Sequence, residues 1–399
     1  MKGRGFLKYN FNTVIDRSNN NAAKVLEAKL HFGTNDVIPL WIADMDFATL
    51  PEVVTAIKNR ADQGIFGYTN RPDEYFAAYA AWQKKRNGWN ADPNLMAFAP
   101  GVIPGMITLV KQLTKPGDKI LIQPPVYHPF TDVVVNFDRC LVTNELVKDD
   151  TGMYRVDLAD FEEKAKSGVK FFILCNPHNP VGRCWTKEEL TAMAEICRKY
   201  NIMIISDEIH SDLILFGHKH TVLASLSKEI SDITITCIAP SKTFNLAGLQ
   251  SSTIVFPNAD MKERYVKEIQ RNDMARNNCF SLVAAMAAYT YGEEWVEELK
   301  RYLEENMRYV KNFLDSEIPQ IKAYLPQATY LMWLDCSELG FKGKALQEFL
   351  VKKAGLGLND GESFGPGGEG YARMNVACPR ATLERALQQL KKAVASLDK

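Results

Sequence analysis

A single lysine closely follows a segment that has the composition of a buried strand. The segment is residues 233–238, Ile-Thr-Ile-Thr-Cys-Ile, which is apolar or β-branched throughout. This pattern is typical of a parallel strand covered on both faces. Lys242 therefore comes at the sheet edge where open α/β proteins bind ligands, and partial burial would lower the pKa of its amine. A lysine in that position can form a Schiff base, although a lysine that merely reaches solvent from a strand end is the alternative.

Polar side chains follow two other predicted strands. Asp207 comes directly behind an apolar run, where an unpaired charge would be costly, so we expect it to have a cationic partner unless it caps the next turn. His210 is expected on the same side of that turn, or packed in the core. Asn179, in the loop Asn-Pro-His-Asn-Pro-Val-Gly, has an amide that could bind a ligand oxygen, although Asn before Pro is also an ordinary turn signal.

Two more loops offer a stacking ring and a phosphate site. Tyr127 follows two prolines and could stack on a planar ring, or pack on those prolines. Residues 100–105, Pro-Gly-Val-Ile-Pro-Gly, lead into a predicted helix whose first amides suit a phosphate, unless the turn only closes a corner. A planar ring, a phosphate, a ring nitrogen that needs a carboxylate, a ring hydroxyl and an aldehyde that needs a lysine together describe pyridoxal phosphate.

The elements that must position these residues alternate between strand and helix. Short apolar runs predict strands at 95–99, 119–122, 170–175, 202–205, 233–238 and 253–256, and helical spacing predicts helices at 51–59, 74–86, 105–113, 186–200 and 261–271. This alternation predicts an α/β fold with a mostly parallel sheet wrapped by helices.

The pattern changes after about residue 280. It predicts a long helix at 281–314, a strand at 328–335, a helix at 344–353, a glycine-rich turn at 355–370 and a final helix at 381–397. We expect this part to form a smaller α+β domain together with the amino-terminal segment. The expected division is a small domain of residues 1–45 and 285–399 and a large cofactor-binding domain of residues 46–284.

Composition excludes several classes of protein. The 399 residues exceed the usual size of one core, and 48 acidic residues balance 48 basic ones, which gives no reason to expect nucleic acid or an anionic membrane as partner. No uncharged apolar run could span a bilayer, and the first eight residues lack a signal-peptide core.

The cysteines and histidines give little sign of a disulfide framework or a metal site. The eight cysteines are scattered, without a Cys-x-x-Cys pair, which favours reduced thiols and a cytoplasmic location. No metal is expected, because the candidate pairs Cys175 with His178 and His218 with His220 each lack a second pair at ligand spacing.

Four motifs together resemble the fold-type I pyridoxal phosphate enzymes of the class I/II aminotransferase superfamily. They are Asn-Pro-His-Asn-Pro-Val-Gly at 176–182, Asp-Glu-Ile-His at 207–210, Ser-Lys-Thr-Phe-Asn at 241–245 and Arg-Met-Asn-Val-Ala at 373–377. Within that superfamily, the segments 39–47, 355–361 with 367–370, and 377–380 resemble the cystathionine β-lyases of MalY/PatB type. The resemblance covers essentially the whole chain and implies a seven-stranded sheet.

The resemblance also implies a role for each residue singled out above. Lys242 would bond covalently to the cofactor, and Asp207 would pair with its ring nitrogen. The other cofactor contacts implied are Asn179 and His210 to the ring oxygen, Tyr127 stacked on the ring, and the amides of Val102 and Ile103 with the Ser241 hydroxyl on the phosphate.

Further implied contacts concern the substrate and a second subunit. Arg373 would bind the substrate α-carboxylate, for which a planar guanidinium is suited, and Ala43 would contact the substrate. Tyr68 resembles a tyrosine that reaches the phosphate in a neighbouring subunit, which implies a homodimer. Gln250 stands where the superfamily often has an arginine, so the phosphate charge must be balanced elsewhere. Residues 16–22 depart from the Gly-Thr-bearing run of the family, which leaves the side-chain preference at the site mouth open.

The implied activity is β-elimination from amino acids that carry sulfur on Cβ, such as cystathionine, with release of a thiol, pyruvate and ammonia. Two alternatives use the same fold. One is an aminotransferase that uses the same cofactor, and the other is a non-catalytic regulatory protein.

Overall fold

The structure is a computed structural model, and it describes residues 8–397. The expectation that the chain starts without a signal peptide rests largely on residues 1–7, which lie outside the described residues.

A seven-stranded sheet forms the centre of the molecule, as expected. Its strands are β1 (Met96–Ala99), β2 (Lys119–Ile122), β3 (Cys140–Thr143), β4 (Val169–Cys175), β5 (Met203–Asp207), β6 (Thr234–Ile238) and β7 (Ser252–Val255). They lie in the order β1-β7-β6-β5-β4-β2-β3. Strands β6, β5, β4, β2 and β3 are mutually parallel, whereas β7 runs antiparallel to both of its neighbours.

The one strand of this sheet that had no counterpart in the predicted strands is β3. It lies at the sheet edge and pairs with β2 alone, and each of its four residues is at least partly exposed. An edge strand of this kind lacks the continuous apolar run by which the buried strands were recognised.

Helices cover both faces of the sheet and extend beyond it. The α-helices are Ala23–Leu26, Ala28–Phe32, Pro51–Asp62, Glu74–Asn87, Val102–Leu113, Pro129–Val135, Leu158–Lys166, Lys187–Lys199, Lys228–Ser231, Pro240–Thr243, Ala259–Arg271, Cys279–Tyr291, Glu293–Glu317, Gly343–Lys352 and Arg380–Val394. Short 3-10 helices lie at Pro93–Leu95, Leu223–Ser225, Ala247–Leu249, Ser337–Leu339 and Gly361–Phe364. The helix Lys187–Lys199 begins with the capping box of Thr186 and Glu189.

A second, antiparallel sheet lies in the carboxyl-terminal part of the chain. Its strands are β8 (Lys322–Ala323), β9 (Leu331–Asp335), β10 (Asn359–Asp360) and β11 (Tyr371–Asn375), in the order β8-β9-β11-β10. Two-residue strands pair Ile38–Pro39 with Leu356–Gly357, and Val147–Lys148 with Tyr154–Arg155. We retain the division into two domains, with its stated bounds, as a proposal.

The predicted long helix at 281–314 is in fact two helices that meet at Gly292. A Cβ atom on Gly292 would lie 2.2 Å from the Phe244 ring and 2.4 Å from the Ala288 carbonyl oxygen, so the chain packs too tightly there for a side chain. The second helix, Glu293–Glu317, joins two cores. Its Trp295 and Leu299 pack beside the amino-terminal Phe11, and Val310 packs beneath the second sheet.

Three general observations complete the description. Among residues 8–397, the structure has no helix that is long and apolar enough to cross a membrane. The same residues contain no cluster of three or more His, Cys, Asp or Glu side chains placed to hold a metal ion. All eight cysteines are free.

The glycine-rich turn generates a prediction about stability. A Cβ atom on Gly361 would lie 2.2 Å from the Gly368 carbonyl oxygen and 2.6 Å from that of Tyr371, so two backbone segments beside β11 meet with no room for a methyl group. We expect Gly361→Ala to lower the free energy of unfolding by about 1–3 kcal/mol, measured by urea titration. Gly248→Ala is the control, because nothing lies within 4 Å of the added atom. Equal stability of the two variants would contradict this packing.

Candidate active site

The carboxyl ends of the parallel strands open into one cavity. Most of the predicted site residues line it, namely Ala43, Val102, Ile103, Tyr127, Asn179, Asp207, His210, Ser241 and Lys242. This follows from the fold, because parallel strands all release their following residues at the same edge. Two predicted residues are not among those that line the cavity. They are Arg373, whose guanidinium donates to the Asn179 side chain, and Tyr68.

Lys242 lies on the short helix Pro240–Thr243, directly after β6. Its amine donates a hydrogen bond of 2.6 Å to the carbonyl oxygen of Ala43. Burial, followed by the positive charge of Arg373, lowers the pKa of Lys242 to about 8. A useful fraction of this amine is therefore unprotonated near neutral pH, as a nucleophile or base must be.

Asp207 ends β5 at the centre of the sheet, with Cys175 and Cys237 as its neighbours on the adjoining strands. Only 5% of the residue is exposed. Burial raises the pKa of this carboxyl group to about 7, although the backbone N–H of Ile209 donates to it at 3.2 Å. No lysine, arginine or histidine forms an ion pair with it among the described residues. A buried carboxyl group in this state is suited to a cationic ring nitrogen.

The walls of the cavity offer neutral polar groups. Burial, then the charges of Lys242 and Arg373, lower the pKa of His210 to about 3, and its Nδ1 is buried without a hydrogen-bond partner among the described residues. Burial raises the pKa of Tyr127, which keeps the phenol neutral. Asn179 uses its side-chain oxygen to accept from Arg373, which leaves its amide N–H groups as donors.

One end of the cavity is the start of the helix Val102–Leu113. The first hydrogen bond of this helix runs from the Gly105 N–H to the Gly101 oxygen, and Pro104 has no N–H. The amides of Val102 and Ile103 therefore precede the first helical bond and suit an anion. Of the described residues that line the cavity, Lys242 alone is a cation, which agrees with the glutamine at position 250. A phosphate bound in this cavity would therefore have no arginine among the described residues that line it.

Arg373 lies on β11 of the second sheet, and 4% of it is exposed. Its guanidinium donates to the Asn179 side-chain oxygen at 3.0 Å, to the Trp41 carbonyl oxygen at 2.9 Å and to the Asn359 side-chain oxygen at 2.6 Å. All three acceptors are uncharged, and burial lowers the pKa of the guanidinium to about 10. Its positive charge is therefore oriented by neutral groups and available to a carboxylate.

The segment 41–47 accepts hydrogen bonds from both Lys242 and Arg373. The other side chains that hold this segment in place were not predicted from the sequence. The Asn375 amide donates to the carbonyl oxygens of Ile42 at 2.7 Å and Asp44 at 2.6 Å. The Asn245 amide donates to those of Met45 and Phe47, each at 2.9 Å. Tyr330 joins Lys242 on Ala43, with its hydroxyl donating at 2.8 Å. Both asparagines belong to motifs quoted above, and their position beside Lys242 and Arg373 was the available signal.

Tyr68 is not among the residues that line the cavity of its own chain. Its residue surface is 93% exposed, and the Arg276 guanidinium lies over its ring at 4.7 Å. A contribution to the site of a second copy stays a prediction.

The set of groups fits pyridoxal phosphate. The cavity combines a lysine of lowered pKa, a buried carboxyl group without an ion-pair partner, a neutral imidazole with an unpartnered nitrogen, and free amides at a helix start. Each is a group that the cofactor's aldehyde, ring nitrogen, ring oxygen or phosphate requires.

The raised pKa of Asp207 predicts an opposite effect of one substitution on stability and on cofactor binding. Because its folded-state pKa of about 7 lies above the ordinary 3.8, the ionised carboxylate destabilises the cofactor-free protein increasingly as pH rises from about 4 through 7. We expect Asp207→Asn to raise the melting temperature of the cofactor-free protein near pH 8, with little gain near pH 4, and to weaken pyridoxal phosphate binding. The exposed Asp150→Asn is the control. Unchanged stability together with unchanged cofactor affinity would contradict the assignment.

Comparisons with known proteins agree with this geometry. The model of the family "Aminotransferase class I and II" matches residues 35–390. Cystathionine beta-lyase PatB of Bacillus subtilis is 43% identical over 364 residues, which cover 91% of this chain and 94% of that protein.

Two solved structures are also similar over nearly the whole chain. A pyridoxal phosphate-bound putative aminotransferase from Clostridium difficile has 49% identity and a TM-score of 0.95, covering 97% of this chain and 100% of the other. The pyridoxal phosphate-bound C-S lyase from Staphylococcus hominis has 34% identity and a TM-score of 0.91, covering 97% and 98%. This chain therefore belongs to the aminotransferase class I and II family.

Proposed function

We propose that this protein is a pyridoxal phosphate-dependent carbon-sulfur lyase, which removes the sulfur substituent from Cβ of amino acids such as cystathionine. The observation that carries the proposal is a cavity lined by an amine of lowered pKa and a carboxyl group without an ion-pair partner, together with a guanidinium, held by neutral groups, that donates to the cavity residue Asn179. PatB and the Staphylococcus hominis protein, similar over nearly all of this chain, are named as lyases of this kind.

The residues proposed to hold the cofactor each use the group described above. Asp207 pairs with the ring nitrogen, Tyr127 stacks on the ring, and Lys242 forms the covalent link. Asn179 and His210 bond to the ring oxygen, and the amides of Val102 and Ile103 bind the phosphate with the Ser241 hydroxyl. When bound, pyridoxal phosphate withdraws electrons from the amino acid, which makes the proton on Cα removable.

Arg373 is proposed to fix the orientation of the substrate. Its guanidinium donates to the substrate α-carboxylate, and its hydrogen bonds to Asn179, Trp41 and Asn359 fix the plane of the guanidinium. The substrate also contacts Ala43, whose carbonyl oxygen accepts a hydrogen bond from the Lys242 amine. A substrate bound this way has its Cα beside Lys242, because both groups anchor to the segment 41–47.

Lys242 is proposed to move the protons of the reaction. The neutral amine would take the proton from Cα, and the ammonium so formed would return it to the departing sulfur. The Cβ–S bond breaks with its electron pair on sulfur, and a thiol leaves. Water then hydrolyses the remaining three-carbon unit to pyruvate and ammonia. From cystathionine the thiol is homocysteine.

The proposed assembly is a homodimer in the cytoplasm, with a small amino acid as substrate and neither nucleic acid nor membrane as partner. Ile65, Phe66 and Tyr68 support the dimer, because they expose 74%, 59% and 93% of their surfaces within one short loop. Such an exposed apolar group is typical of an interface. The free cysteines support a reducing compartment.

Removing the Lys242 amine should stop the reaction. We expect Lys242→Ala to reduce pyruvate release from cystathionine by about 10²- to 10⁴-fold or more, because a general base contributes on that order. Lys267→Ala, whose side chain is 67% exposed in an ion pair with Glu263, should keep wild-type activity. Pyruvate is measured without added keto acid. Turnover that requires a keto acid would contradict the lyase and indicate an aminotransferase.

Changes at Arg373 should act on substrate binding. We expect Arg373→Ala to raise the KM for cystathionine by about 10- to 100-fold, since a hydrogen bond to a charged group contributes about 1.5–3 kcal/mol. Arg373→Lys should fall between, because it keeps the charge and loses the planar fork. Cofactor absorbance and melting temperature check that each variant is folded. A KM that neither variant changes would exclude Arg373 as the carboxylate site.

A further inference from the structure

Glu208, the residue after Asp207, forms a buried ion pair with His220. The reaction as proposed does not use this pair. The His220 ring nitrogen Nε2 lies 2.8 Å from the Glu208 carboxylate oxygen Oε2, and the two side chains are 1% and 0% exposed. The other carboxylate oxygen of Glu208 accepts from the Ser206 hydroxyl at 2.9 Å and from the Leu223 N–H at 3.1 Å. Both carboxylate oxygens of Glu208 therefore have polar partners, and the side chain is inaccessible to solvent.

The position of this pair follows from the alternation of side chains along a strand. Ser206 and Glu208 contact each other on one face at the end of β5, whereas Asp207, between them, lines the cavity on the other face. The charge of Glu208 therefore lies one residue from the carboxylate that the cofactor needs. After burial, the Glu208 charge is one of the causes that raise the pKa of Asp207.

His220 supplies the opposite charge. Burial disfavours its cation, but the Glu208 carboxylate and the Cys184 side chain together outweigh burial and raise the pKa of His220 to about 9. The other titratable groups that face His220 are the Cys184 thiol and Asp212, which accepts from Trp82 and Thr243. Those that face Asp207 besides Glu208 are Lys242, Cys175 and Cys237.

The loop that carries His220 has its own attachments. The Asn176 amide donates to the Thr221 carbonyl oxygen at 3.0 Å, and the Cys184 thiol donates to that of Lys219 at 3.2 Å. These bonds flank His220 on both sides and do not involve its ring. The position of the loop therefore does not depend on the ion pair alone.

We propose that His220 is a positioning residue of the cofactor site: its cation neutralises Glu208, and this lets Asp207 remain an anion toward the ring nitrogen of pyridoxal phosphate. The proposal rests on the cofactor role of Asp207 in the proposed function. It assigns to Glu208 and His220 an electrostatic role that the reaction itself does not require of them.

The test is a double-mutant cycle read as cofactor affinity. The dissociation constant of pyridoxal phosphate is measured by titrating cofactor-free full-length protein, between about pH 6 and pH 9, for His220→Gln, Glu208→Gln and the double variant. We expect His220→Gln to bind the cofactor on the order of tenfold more weakly near pH 6, where the unneutralised Glu208 charge keeps Asp207 protonated, and to approach wild-type affinity near pH 9, where Asp207 is ionised in both proteins and wild-type His220 loses its own charge. Glu208→Gln should keep wild-type affinity, and the double variant should regain it.

Ser206→Ala is the matched control, because it removes a hydrogen bond from Glu208 and leaves the charges paired. It should show no pH-dependent loss. If His220→Gln does not fold, His220→Arg keeps the cation and should retain the wild-type pH profile. A loss that is equal at every pH, or a double variant as weak as His220→Gln, would overturn the proposal and leave the pair a purely structural contact.

A second readout needs no cofactor. Because His220 has a folded-state pKa of about 9, above the ordinary 6.5, the pair stabilises the fold below about pH 6.5, and this stability is lost as pH rises through 9. The double variant should lack that part of the pH dependence in thermal unfolding. Because both readouts omit substrate, a protein that binds the cofactor but cleaves no Cβ–S bond would refute the proposed reaction and leave this proposal standing.

Discussion

The rest of the structure depends on charges buried without an opposite charge to pair with. Asp207 and Arg373 are both nearly inaccessible, and the groups that form hydrogen bonds with them are amides, carbonyl oxygens and a backbone N–H. A carboxylate or guanidinium in that condition is unfavourable unless a partner arrives. We propose that in this protein the partners are small molecules, so that the stability given up without them becomes affinity for the cofactor ring and the substrate carboxylate.

Holding such charges requires a rigid backbone around them, and two elements provide it. The parallel strands bring the residues that follow β4, β5 and β6 to one edge of the central sheet. The segment 41–47 follows the two-residue strand Ile38–Pro39, and its carbonyl oxygens at residues 42–45 and 47 accept hydrogen bonds from Asn375, Lys242 and Asn245. That segment links Arg373, on the second sheet, to Lys242, because their side chains donate to the carbonyl oxygens of Trp41 and Ala43.

Much of this was predictable because the signals are local. A polar residue that directly follows an apolar strand is visible in the sequence, and Asp207, Lys242 and Asn179 all lie where that pattern places them. The remaining features depend on distant contacts. At Gly292, where the two helices meet, Phe244 leaves no room for a side chain, and β3 is a half-exposed edge strand. The pairing of Glu208 with His220 depends on how the intervening loop returns to the strand, which no spacing reveals.

The most direct test of the central claim is to locate the covalent attachment of the cofactor. Protein loaded with pyridoxal phosphate is reduced with borohydride, digested with a protease and mapped by mass spectrometry. We predict a single modified site at Lys242, obtained in the wild type and absent when Lys242 is replaced by alanine. Modification of a different lysine, or a Lys242 peptide that remains unmodified in fully loaded protein, would contradict the assignment of this cavity as the active site.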